Sequence, residues 1–181
     1  MTNSTHLNIG NNNNHVAFLF SCPGQEEEKN RKPVAGKTGE NLDILLRYLE
    51  SKDKNNFQFT DRYSYRITNS WDKVEYKKKT NRTEAKISEI KQEKNLMRIK
   101  DELKNIETLV LFGNKAQKII KFLDFDGIVI KSKHLSMQGL ASIDKDIHGD
   151  KLKKRAECNT QKRIEVIALS ILKHIPKHRS E

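Results

Sequence analysis

Short apolar runs alternate along this chain with longer segments that carry apolar residues at every third or fourth position. Val16-Ala-Phe-Leu-Phe20 is a continuous apolar run of strand length, the pattern of a strand covered on both faces. Tyr63-Ser-Tyr-Arg-Ile-Thr-Asn69 alternates in strand fashion, and Glu107–Phe112 and Asp126–Ile130 are further strand candidates. Between the strands, Leu42, Leu45, Leu46 and Leu49 recur at helical spacing in a segment from Thr38 or Gly39 to Glu50. Ile87, Ile90, Leu96, Ile99 and Leu103 predict a helix from Thr83 to Asn105. Gly113-Asn-Lys opens another through Phe122, and a last helix is expected from Lys151 to His174. The polar stretches Lys52–Asn56, 70–82 and Met137–Asp150 read as turns and loops. This order predicts an α/β fold, a three-layer α/β/α sandwich around a central, mostly parallel sheet of about four strands.

Composition narrows the picture. The Asn-rich residues 1–14 are expected to form a disordered arm ahead of a single domain over 15–181. The formal net charge is +11, from 35 Lys plus Arg against 24 Asp plus Glu, with a pI near 9.6. A chain this basic suits a polyanionic partner, and nucleic acid is the commonest one. Its two cysteines, Cys22 and Cys158, have no metal-ligand spacing, which speaks for a reducing compartment and against a disulfide framework. No apolar run approaches the ~20 residues of a membrane span, and the polar N-terminus lacks a signal-peptide pattern. The expectation is a cytoplasmic monomer without membrane contact, metal or cofactor.

In open α/β sheets, sites form beyond the carboxyl ends of the strands. Three polar candidates fall there: Pro23-Gly24 after the first strand, Asn69 ending the second and His134 after the last. After the first strand the chain reads Ser21-Cys-Pro-Gly-Gln-Glu-Glu-Glu28, then Lys32-Pro-Val-Ala-Gly-Lys-Thr-Gly39. Backbone N–H groups of such a loop can hold an anion or a polar ring. Pro-Gly, three acids and Lys-Pro-x-x-Gly-Lys-x-Gly together resemble the first motif of the uracil-DNA glycosylase superfamily, above all its family 4 branch. Ile67-Thr-Asn69 is similar to the family's strand end, and Asn81-Arg82 to the Asn-Arg before its next helix. His134-Leu-Ser136 resembles its His-Pro-Ser motif, with Leu135 in place of proline.

The resemblance implies a DNA glycosylase that flips a base from DNA and hydrolyses its N-glycosidic bond to leave an abasic site. It implies a base pocket of Ser21, Cys22, Pro23, Gly24 and Val34, with the Asn69 amide reading the base edge. His134 would stabilise the departing base and Glu27 the sugar cation or the water. Gly36, Lys37, Asn81, Arg82, Lys131, Lys133 and Ser136 would hold DNA phosphates. Two departures point away from plain uracil. Ser21 stands where the family has an acid, and Val34 where it has a phenylalanine that stacks on the flipped base. A bulky modified cytosine of phage DNA, and hence a defence role, fits those changes. The four cysteines of the family 4 iron–sulfur cluster have no counterpart in a chain with two. The alternatives are a uracil-excising repair enzyme and a non-catalytic DNA-binding protein on the same fold.

Overall fold

The computed structural model of the chain describes residues 2–11, 14–153 and 159–176. Its centre is a four-stranded, all-parallel sheet of β1 (Val16–Phe20), β2 (Arg66–Asn69), β3 (Thr108–Phe112) and β4 (Ile128–Ser132), in the order β2-β1-β3-β4. The helices are α1 (Gln25–Asn30), α2 (Lys37–Lys52), α3 (Lys77–Thr80), α4 (Ile87–Ile90), α5 (Glu93–Glu102), α6 (Asn114–Ile119), α7 (Met137–Ala141) and α8 (Thr160–Leu172). This is the expected α/β/α sandwich.

Alternation along β1 and β3 divides the core into two layers. Phe18, Phe20, Val110 and Phe112 pack with Leu42, Leu45, Leu46 and Leu49 of α2 and with Ile164, Ile167 and Ile171 of α8. Ala17, Leu19, Leu109 and Leu111 point the other way, against Ile90, Ile99, Ala116 and Ile119. Both faces of the central strands are therefore apolar, which is why they read as unbroken hydrophobic runs. The connections from β1 and β3 leave toward opposite edges of the sheet. The crevice between their carboxyl ends is the switch point at which open α/β sheets bind ligands.

Several local expectations are corrected. Residues 4–11, taken as part of a disordered arm, lie along β2 instead. Asn8 bridges Ile67 in antiparallel fashion, Leu7 is buried, and the Asn8 amide donates to the Tyr63 and Tyr65 carbonyls at 2.8 Å each. The helix expected over 83–105 is broken into α4 and α5, because the apolar phase slips between Ile90 and Leu96. The Asn95 amide closes the break by donating to Ile90 O and Ser70 O, both at 2.8 Å. The acidic triplet after Gly24 forms the first turn of the short helix α1. Tyr63 belongs to a 3₁₀ turn ahead of β2. The last helix begins at Thr160, with Lys151 in a bridge to Lys145, and Cys158 lies outside the described residues.

Candidate active site

The loop after β1 is built by its own acids. Gly24 starts α1, and the Glu27 carboxylate reaches back to the Gly24 N–H at 2.9 Å while its other oxygen takes the Ala35 N–H at 3.0 Å. Glu27 therefore clips the two ends of the loop together, a reciprocal cap of the kind that fixes helix starts. Glu28 accepts from Tyr76 Oη at 2.8 Å and pairs with Lys79. Pro23 and Val34 are buried, and Val34 adopts a left-handed φ of 44°. That conformation is strained for a β-branched residue. Its side chain packs with the α2 layer.

Beside this loop, beyond β1, β3 and β4, lies a cleft of about 1070 Å³. Ser21 and Cys22 form one wall, with Thr83 and Glu84 next to them; Gly113, Lys131, Lys133, His134 and Ser136 line other parts of it. Cys22 donates to Thr83 O at 3.5 Å, and burial pushes its thiol up to about 11. A thiol held this high is protonated near neutral pH, which does not suit a thiolate nucleophile. Among the described residues, no group of three His, Cys, Asp or Glu side chains converges to hold a metal ion.

His134 is the most constrained polar group of the cleft. The Ser136 N–H donates to its Nδ1 at 3.0 Å, so Nδ1 acts as an acceptor and the ring proton sits on Nε2. Phe20 meets the ring edge-on at 5.9 Å. Gly113 has φ 86°, and a Cβ there would come within 3.0 Å of His134 Cδ2. A Cβ at Gly139 would lie 2.1 Å from the His134 carbonyl oxygen, so glycine is required on both sides of the histidine. Burial lowers the His134 pKa from its ordinary value, and the nearby Glu84 and Glu27 charges oppose that shift without cancelling it. The result is a neutral imidazole that offers Nε2–H. Asn41 of α2 fixes the same loop by donating to Leu135 O at 2.7 Å.

Asn69 stands on the other side of β1. It is 2% exposed, its side-chain amide donates to His6 O at 3.2 Å, and its backbone carbonyl accepts from Arg98 Nη2 at 2.9 Å. Phe20 is its neighbour in register on β1 and also the residue that meets the His134 ring. The structure thus brings Ser21, Cys22, Lys131, Lys133, His134 and Ser136 to one cleft, while Pro23, Gly24, Glu27, Val34 and Asn69 lie outside its walls.

The other expected DNA contacts have structural partners. Arg82 pairs with Glu75 through Nε at 2.8 Å and through Nη2, and with Glu89 at 2.6 Å. Glu75 also takes the Trp71 indole N–H, and Arg82 holds its carboxyl down at about 2. Asn81 ends α3 in a left-handed conformation. Gly36 begins α2, and Lys37 pairs with the exposed Glu40 at 2.8 Å. The sequence reading missed Glu84. It lines the cleft and accepts from Ser21 Oγ at 3.2 Å across 63 residues of chain, a contact that no local pattern announces.

Comparison with known proteins gives no matching family model and no matching curated protein. No helix among the described residues is long and apolar enough to cross a membrane.

Proposed function

We propose that this chain is a DNA glycosylase that excises a base in the cleft beyond β1, β3 and β4. The observation that carries this reading is His134, a neutral imidazole with its proton held on Nε2. Such a donor suits a departing base, because negative charge develops on a base oxygen as the N-glycosidic bond breaks. Lys131 and Lys133 beside it, in a protein of net charge +11, supply phosphate contacts and a salt-dependent affinity for DNA. The motif resemblance at Pro23-Gly24, Asn69 and His134-Leu-Ser136 points the same way.

The substrate we favour is a modified or non-uracil base, with a bulky modified cytosine of phage DNA as the leading candidate. The cleft volume of about 1070 Å³ lies just above the roughly 300–1,000 Å³ typical of small-molecule sites, more room than a plain pyrimidine needs. Ser21, which lines the cleft where the resemblance expects an acid, agrees with that. Defence against phage would follow, and DNA repair if uracil is the base removed.

The test is abasic-site formation, read by alkali cleavage of end-labelled duplexes carrying uracil, a thymine mismatch, hypoxanthine or glucosylated hydroxymethylcytosine. Cleavage at the glucosylated base and not at uracil is the expected result. One observation favours a second reading, a non-catalytic DNA-binding protein on the same fold: the Asn69 amide is held by the His6 carbonyl and lies outside the cleft walls. DNA binding with no abasic sites on any of the duplexes would establish that reading instead.

A further inference from the structure

We propose that Glu84, held in place by Ser21, is the carboxylate that orients and deprotonates the attacking water. This inference rests on the glycosylase reading above and names the residue that completes its chemistry. Base excision by water needs a carboxylate near the sugar, and the acids around the cleft differ sharply in availability. Glu27 has each oxygen on a backbone N–H, and Glu28 is occupied by Tyr76 and Lys79. Glu75 is enclosed by Arg82 and Trp71. Glu84 is the acidic side chain in the cleft wall among the described residues. Its Oε1 takes the Ser21 hydroxyl at 3.2 Å, which leaves Oε2 without a hydrogen-bond partner among those residues. Its charge also acts on His134, the proposed base-side donor, and on Cys22.

The arrangement divides the reaction between two walls. On one, the His134 Nε2–H meets the oxygen of the departing base. On the other, Glu84 Oε2 accepts a hydrogen bond from water and takes its proton as the water oxygen bonds to the sugar C1′. The C1′–N bond breaks with its electron pair leaving on the base, which collects a proton from solvent. Glu84 returns its proton to solvent, and the net change is the addition of one water across the bond. Ser21 is a positioning residue that fixes the Glu84 rotamer. Glu27 keeps the loop closed.

The experiment compares wild type with Glu84→Gln on two duplexes, one carrying a single uracil and one a single glucosylated hydroxymethylcytosine. Glu84→Gln is expected to bind DNA at least as tightly as wild type and to lose about 10²–10⁴-fold in single-turnover excision, the usual contribution of a positioned acid–base group. Glu84→Asp should recover part of the rate, and Ser21→Thr should exceed Ser21→Ala in kcat at similar KM. In an NMR titration the His134 ring should protonate at lower pH in Glu84→Gln than in wild type, because the Glu84 charge that opposes the burial shift is gone. Wild-type excision with an undiminished Glu84→Gln rate would overturn this assignment and leave the glycosylase reading standing. A wild type inactive on both duplexes would overturn the assignment together with that reading for these bases.

Discussion

The two flanks of β1 at the carboxyl end of the sheet are built on opposite principles. Toward β2, buried and half-buried polar groups are tied to one another. Glu102 accepts from His6 at 3.0 Å and from Thr68 and Arg98 at 2.5 Å each, while Arg98 also holds the Asn69 carbonyl. Toward β3 and β4, polar side chains line an open cleft and several have bonding capacity left over: His134 offers Nε2–H, Glu84 offers Oε2, and Lys131 and Lys133 are exposed. A network of this kind rigidifies a fold, and the groups bonded within it have little left to give a ligand. Unsaturated groups around a cleft have more. Under the proposed glycosylase reading, the contrast puts architecture on the β2 side and chemistry on the β3–β4 side, although the motif resemblance alone would divide the site between them.

The largest effect should come from the hub of the closed side. Glu102→Ala removes the partner of His6, Thr68 and Arg98 and leaves a cation without its counter-charge, at a cost of about 3–5 kcal/mol. Urea unfolding should show this loss, and a variant that keeps wild-type stability would break the contrast. Next is His134→Ala on the open side, expected to lower base excision by about 10²–10³-fold, as for a lost oxyanion donor, with little change in Tm. A Tm drop matching that of Glu102→Ala would make His134 architectural too.

Asn69→Ala sharpens the comparison further. It leaves the half-buried His6 carbonyl without its donor and should cost about 1 kcal/mol of stability. If Asn69 reads the base, excision should fall well beyond what the loss of folded protein explains.

The smallest expected effect is on pH. Because burial depresses the His134 pKa below its unfolded value, its neutral form is favoured in the native state, and stability should decline as pH falls from about 6.5, the ordinary histidine value, toward the lowered one. Burial raises the Glu102 carboxyl, but its contacts with His6, Arg98 and Thr68 outweigh that and hold it below its ordinary value. Its contribution is present above about pH 4.3 and is lost only on further acidification through the lowered pKa. Unfolding midpoints measured down this range should show the first decline vanish in His134→Asn and the second persist.

Much of the sheet was legible because both faces of β1 and β3 are covered, so Val16–Phe20 and Leu109–Phe112 announce themselves as apolar runs. The four leucines of α2 did the same at helical spacing. The N-terminal strap was not legible, because an Asn-rich stretch has the composition of disorder. What orders it is the Asn8 amide reaching two carbonyls some 55 and 57 residues away. Among the site residues, His134, Ser21 and Cys22 could be placed in advance because each follows a strand. Glu84 could not, since its partner is 63 residues distant, and the commitment of Glu27 to two backbone amides likewise has no local signature.

The most direct test of the division between the two flanks is a titration of isotope-labelled protein with a short duplex carrying glucosylated hydroxymethylcytosine, followed by backbone amide shifts. The account predicts the strongest changes at Ser21, Glu84, Gly113 and 131–136, with His6, Asn69 and Glu102 nearly still. Changes concentrated at His6, Asn69 and Glu102, with the cleft unaffected, would contradict it.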